Sequence, residues 1–231
     1  MHSHYLPAPP ELAEVLDREV RALGGYVSDV FTEEDRLYAR SVLPPTVEIR
    51  PGDGVHGGVA LRTRGPEVLV HPYTFRVVCA NGAIAAHATE TRRVARVSFA
   101  APSEVIAAAL DEVAAAVRAC GALEALAGEA GRMRTAAETE ADVMLHLLPH
   151  LHAFPPEMRA RLTRMVAAQF DRQGDRTRFG LMNAVTAVAR ETPEPETRWR
   201  LEELGGALGA LLPSRPRTAP PAEELMLVGS V

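Results

Sequence analysis

The sequence predicts an α+β fold: an N-terminal helix, a curved and mostly antiparallel β-sheet, then a C-terminal bundle of four to five helices. Three observations carry this. Between Tyr26 and Phe99, β-branched and aromatic residues gather in runs of four to eight, bounded by Pro and Gly, which is the texture of short strands. No helix-length segment separates those runs, so a βαβ arrangement is not expected. From Pro102 onward the chain is rich in alanine, the best helix former, and apolar residues recur at helical spacing.

The elements follow in order. In "PELAEVLDREVRAL", Leu12, Val15, Leu16, Val20 and Leu23 share one helical face, and Gly24-Gly25 supplies the stop. The strand runs are "YVSDVF", "RLYARSVL", "TVEIR", "GVALRTR", "EVLVHPYTFRVVCA" and "RRVARVSF". Asn81-Gly82 is a strong short hairpin signal, because both residues tolerate positive φ. The helical part opens with "PSEVIAAALDEVAAAVRACGALEALAG" and continues through four further segments, broken at Pro149, Pro155-Pro156, Gly174 and Pro193 to Pro195. Trp199, the only tryptophan, is expected to anchor the last helix in the core.

One domain over residues 1–212 is expected, β-rich over 26–99 and helical over 102–212. Residues 213–231 read as a Pro-rich linker with an apolar tip, "LMLVGSV". A chain of 231 residues with 47% hydrophobic content can build a substantial core. No apolar run reaches the roughly 18–20 residues of a membrane span, and the N-terminus has no signal-peptide pattern. Two cysteines, Cys79 and Cys120, do not make a disulfide framework, so a cytoplasmic setting with reduced thiols is expected.

All 25 basic residues are arginine, whose planar fork suits phosphate and carboxylate. Net charge is −5 but uneven: residues 1–35 carry −6, residues 36–99 carry +5 and residues 100–231 carry −4. The basic middle is a candidate footprint for an anionic partner. Within it, Arg62, Arg64, Arg76, Arg92, Arg93 and Arg96 form a possible strip on the sheet, with Tyr73 and Phe75 as stacking groups for unpaired bases. A solvated strand face is the plainer account of the same residues.

Other motifs carry less. "GDGVHG" at 52–57 matches G-x-G-x-x-G, but a strand pattern follows where a dinucleotide site needs a helix. A glycine-rich hairpin or bulge is expected instead, and no cofactor. His146, His150 and His152 have near-ligand spacing, yet Pro149 breaks the helix between them, and packing or capping is the favoured role. Strand alternation sets Phe75, Val77 and Cys79 on one face, the setting of an inert core thiol. No nucleophile elbow or phosphate-binding loop is present. A hydrolase using Cys79 or the histidines is therefore the weakest of the readings.

Two segments, "DGVHGGVALRTRGPEVLVHPYTFRVVCANGAI" and "RFGLMNAVTAVARETPEPETRWRLEELGGAL", resemble a family of phage- and plasmid-like proteins, the domain of unknown function 932. The resemblance rests on Arg76, Cys79, Asn81 and Gly82 in an Arg-x-x-Cys-x-Asn-Gly pattern, and on Asn183 and Thr186 in an Asn-x-x-Thr pattern. It spans about Val27 to Leu212. Asp53-Gly54 stands where the family has an asparagine-serine pair. The family implies a mobile-element setting and supplies no catalytic residues. The predicted layout is also broadly that of Rad52-like single-strand annealing proteins, an analogy of architecture alone.

The leading expectation is a non-enzymatic homo-oligomer that binds single-stranded nucleic acid. The alternative is a protein-interaction module of the defence or anti-defence type.

Overall fold

A computed structural model describes residues 9–33, 36–76, 81–95 and 103–210. The expected α+β order is present: helix α1 (Pro9–Ala22), a curled antiparallel sheet, then helices. The strands are β1 (Tyr26–Glu33), β2 (Arg36–Val42), β3 (Thr46–Arg50), β4 (Asp53–Arg64), β5 (Glu67–Arg76), β6 (Asn81–Ile84) and β7 (Arg92–Ala95). The helices that follow are α2 (Ser103–Cys120), α3 (Leu123–Ala137), α4 (Val143–Leu147), α5 (Pro156–Gln173), α6 (Arg178–Glu191) and α7 (Pro195–Ala210), with a 3-10 turn at Leu148–Ala153.

The sheet order is β1-β2-β4-β5-β6, with β3 beside the first half of β4 and β7 beside the first half of β5. Ten register pairs join β4 to β5 across the two-residue turn Gly65-Pro66, where Gly65 has φ 52°. Gly52 (φ 77°) makes the preceding turn, and Asp53 to Gly57 continue as strand. The G-x-G-x-x-G match is thus a hairpin feature with no helix behind it.

Register sorts the side chains onto two faces. Leu37, Ala39, Val59, Leu61, Val68, Val70 and Val94 pack against α1 and α2, where Leu12, Leu16, Val20, Val113 and Val117 are buried. The opposite face carries Tyr38, Arg40, Ala60, Arg62, His71, Tyr73 and Phe75, and Trp199 of α7 closes it. A third core joins α3, α5, α6 and α7 to Ile49 and Val55.

The structure differs from expectation in three places. The first helical segment is two helices, broken at Gly121, where a Cβ would lie 2.9 Å from Leu23 Cδ1 and 3.2 Å from the Val117 carbonyl oxygen. Together with the short α4, this gives six α-helices after the sheet among the described residues, against the four or five predicted. The third difference is Asn81-Gly82, which is strand rather than turn: Asn81 pairs with Arg76 and Gly82 with Phe75. Gly82 serves close approach there, since a Cβ would meet Tyr73 Oη at 2.0 Å. Cys79, with Val77, lies outside the described residues, as does the C-terminal segment 213–231.

Candidate nucleic-acid interface

The sheet positions the arginines, and it separates them. Arg62 is 3% exposed, with Nη1 3.2 Å from Glu196 and Nη2 3.4 Å from Glu203. Arg76 makes a two-pronged pair with Asp53 at 2.6 and 2.7 Å and lies 5.6 Å from the Phe179 ring. Both guanidinium groups are committed inside the protein, which corrects their expected role as phosphate contacts. Arg92 is exposed but pairs with Val70 on the α1/α2 face, and donates to the Thr89 and Thr91 carbonyls. Arg96 lies outside the described residues.

Arg64 and Arg93 remain, exposed and on the same face as Arg62. Continuing the β2–β4 register two residues past Tyr38↔Arg62 sets Arg36, also exposed, beside Arg64. Glu67 sits among them, opposite Arg64 and 3.9 Å from Arg93. The reading from sequence missed Arg36 because it opens its strand run rather than sitting in an arginine cluster.

Tyr73 is 4% exposed and buried against Ile84 and Trp199, so its ring is closed to a base. Phe75 is half-buried and lines an open cleft of about 400 Å³ with Tyr26, Val42, Pro44 and His56. That cleft is six β5 residues, roughly 20 Å, from the level of Arg93. An exposed aromatic at the level of the arginines is instead Phe31. It is 38% exposed and pairs with Tyr38, in the same cross-strand row as Arg62 and Arg93.

Behind this surface is a buried polar layer. Arg40 Nε meets Glu202 Oε2 at 2.5 Å, both side chains 3% exposed, and Arg40 Nη1 reaches Asp29 at 3.2 Å. Arg198 joins the same two carboxylates at 3.2 and 3.0 Å. Arg40 and Arg62 lie 5.3 and 5.1 Å from the Trp199 ring, whose Nε1 donates to Glu203 at 2.9 Å. The indole face attracts both guanidinium groups through its ring electrons. Burial lifts the Glu202 carboxyl above its ordinary value, and Arg40 and Arg198 pull against it. Burial, with Glu196 as hydrogen-bond acceptor, pushes the Tyr38 hydroxyl up to about 12. These groups act as structure.

His71 borders the layer, 6.2 Å from Trp199, with Nδ1 3.2 Å from Thr91 Oγ1. Burial, reinforced by Arg62 and Arg93, brings its pKa from 6.5 down to about 4. The folded state therefore resists a proton that the unfolded chain accepts. The stability contributed by neutral His71 is complete above pH 6.5 and is lost as pH falls from 6.5 through 4. The loss is on the order of 3 kcal/mol, at 1.36 kcal/mol per pKa unit. In urea unfolding at pH 7.5 and 4.5, a His71→Gln variant is expected to lose less stability than the parent. Equal losses would remove His71 from the acid response.

The histidines predicted as a possible metal group do not converge. His146 Nδ1 is turned to the Asp142 amide of its own helix, at 3.1 Å. His150 and His152 line a different cleft, of about 390 Å³, with His87, Phe154, Arg200 and Leu204. Among the described residues no three His, Cys, Asp or Glu side chains are placed to hold a metal ion. Cys120 is 2% exposed, donates to the Glu90 carbonyl at 3.1 Å, and burial pushes its thiol up to about 12, the state of an unreactive thiol.

The two segments that carry the family resemblance touch. Asn81 Nδ2 donates to Thr186 Oγ1 at 2.6 Å and to the Asn183 carbonyl at 3.2 Å, all three residues nearly fully buried. This joins β6 to α6 and gives these motif residues a packing role.

Helix, sheet and helix thus enclose an indole flanked by ion-paired arginines, with exposed arginines at one end of the sheet. No family model, curated protein or solved structure matches the chain. No helix among the described residues is long and apolar enough to cross a membrane.

Proposed function

We propose that the protein is a self-associating, non-enzymatic binder of single-stranded nucleic acid. The observation that carries this reading is the exposed group of Arg36, Arg64 and Arg93 at the end of the sheet away from the Phe75 cleft, with Phe31 exposed on the same face at the β1 edge. Arginines there meet phosphate oxygens, and the phenylalanine offers a face to a base. The resemblance to phage- and plasmid-like proteins supports the same reading and adds a mobile-element setting. Glu33 and Glu67 lie at the same end and weaken the local positive field, so binding is modest and steeply salt-dependent.

Fluorescence anisotropy of a labelled single strand against salt tests it. Arg64→Ala with Arg93→Ala is expected to lower the slope of log affinity against log salt by about 1.4, at roughly 0.7 per phosphate contact. Absence of binding by the parent at low salt, or an unchanged slope in the variant, would sink the reading.

A second reading, a protein-interaction module, draws on Met144, Leu145 and Leu148. These are 55%, 66% and 44% exposed at α4 and the turn after it, an apolar group of the kind that marks contact surfaces. Met144→Glu with Leu145→Glu leaves strand binding unchanged under the first reading.

A further inference from the structure

One irregularity in β1 decides what that strand presents. Tyr26 and Phe31 are five residues apart, an odd number, which in a regular strand would set them on opposite faces. The extra residue between Val27 and Asp29 resets the alternation: Tyr26 pairs with Val42 and Phe31 with Tyr38, four residues apart on β2. Both exposed rings therefore stand on the face that carries Arg62, Arg64 and Arg93. Tyr26, 57% exposed, is the more open of the two and borders the cleft at the Phe75 end of the sheet.

Three strands and a connection build that cleft. His56 of β4 and Phe75 of β5 are direct cross-strand partners, and Tyr26, Val42, Leu43 and Pro44 complete the side-chain lining. Gly25 contributes backbone, packed so closely on β2 that a Cβ would meet the Val42 carbonyl oxygen at 2.4 Å. The volume of about 400 Å³ lies within the roughly 300–1,000 Å³ of small-molecule sites. No Asp, Glu or Arg lines it. Its ring nitrogens belong to His56. Nδ1 is 3.1 Å from the Leu43 carbonyl oxygen and 3.0 Å from Thr46 Oγ1, which itself donates to the Pro44 carbonyl at 3.4 Å. A carbonyl only accepts, so Nδ1 carries the proton, and Nε2 of the neutral ring is an acceptor. Nε2 has no partner among the described residues.

We propose that this cleft takes one nucleobase bearing an amino group. Three features select the ligand. A lining without charged side chains suits a neutral body rather than a phosphate or a carboxylate. The Tyr26, Phe75 and His56 rings suit a flat heteroaromatic ring. His56 Nε2 accepts one N–H, which the amino groups of adenine, cytosine and guanine supply. Thymine offers only a ring N–H flanked by two carbonyl oxygens, whose lone pairs repel Nε2. The choice of a base over another flat ligand rests on the strand reading above. The cleft lies on the arginine face, with Phe31 at the arginine end of β1 and Tyr26 at the cleft end. A stacked strand advances about 3.4 Å per nucleotide, so about six nucleotides connect the level of Arg93 to the cleft. The same chemistry fits a free nucleoside.

Nuclear magnetic resonance of the histidine ring nitrogens in the full-length chain tests this at pH 7.5, with adenosine and an eight-residue oligoadenylate as probes. Both are expected to shift the His56 Nε2 signal. Thymidine should bind about three- to tenfold more weakly than adenosine, the worth of one neutral hydrogen bond. Tyr26→Ala should remove most of the adenosine binding, and Tyr26→Phe should retain it. His56→Asn keeps a donor for the Leu43 carbonyl but loses the acceptor, so it should bind the two nucleosides alike. In the anisotropy measurement Tyr26→Ala is expected to weaken the octamer about tenfold with its salt slope unchanged, because the cleft holds no phosphate. That loss identifies a base of the strand as the occupant; an adenosine shift without it identifies a free nucleoside, and either result supports the site. A His56 signal that neither probe moves overturns the proposal. So does thymidine binding as tightly as adenosine. N-acetyl-tryptophanamide binding as tightly as adenosine overturns it as well, since the cleft would then fit the indole of a partner protein. Salt-dependent strand binding with an unmoved His56 signal would sink this inference alone; an adenosine shift in a protein that binds no strand would sink the functional reading alone.

Discussion

Trp199→Ala is expected to destabilise the protein by about 4 kcal/mol, the range for removing a fully buried aromatic side chain. Trp199 has no exposed surface. Its ring is 5.9 Å from Tyr38, 6.2 Å from His71 and within 5.3 Å of two guanidinium groups. Truncation removes the apolar contact between α7 and the sheet, opens a cavity and leaves Arg40 and Arg62 without the ring. Trp199→Phe keeps most of the volume but loses the bond to Glu203, and should cost on the order of 1–2 kcal/mol. Urea unfolding at pH 7.5 measures both. A loss below 2 kcal/mol for the alanine variant would show that this ring does not hold α7 to the sheet.

The second large effect belongs to the buried ion pair. Glu202→Leu leaves Arg40 charged and 2% exposed, with only half-exposed Asp29 as an acidic partner. The expected loss is about 3–5 kcal/mol, since the cost of taking Arg40 out of water is no longer offset. Arg40→Met together with Glu202→Leu is expected to recover most of it, because apolar residues of similar volume can replace a buried pair at little or no loss. A double-mutant cycle by denaturant unfolding reads the coupling directly. If the double variant is as unstable as the sum of the singles, the two side chains are not energetically paired.

These two residues mark the boundary of what was legible in the sequence. Trp199 as the anchor of the last helix could be read, because a lone tryptophan among helically spaced leucines has little else to do. The bounds of β3, Thr46–Arg50, matched the run "TVEIR", flanked by Pro and Gly. The stop of α1 before Gly24-Gly25 was equally plain, and Gly24 has φ 80°. Strand β6 was hidden, because "NGAI" is four residues long and opens with a turn dipeptide. Its stability comes from Asn81 bonding to α6, 102 and 105 residues away in sequence.

The candidate surface was legible only in part, for the same reason. Alternation showed that the basic middle of the chain faced somewhere, but not what it met. Arg62 and Arg64 differ by one step along a strand face, yet α7 supplies carboxylates to the first and leaves the second exposed. A charge count cannot see a partner 134 or 141 residues away. Arg36 and Phe31 came to prominence only once β1, β2 and β4 were in register.

The Arg40–Glu202 bond joins residues 162 positions apart. A ribosome adding about 5–20 residues per second needs roughly 10–30 s to cover that interval. Throughout it the emerging β-sheet carries arginines whose carboxylates have not been made. The native sheet face is thus completed only once α7 has left the exit tunnel. A nascent chain stalled before Pro195 presents to the cell a cationic, half-covered sheet that the finished protein never displays.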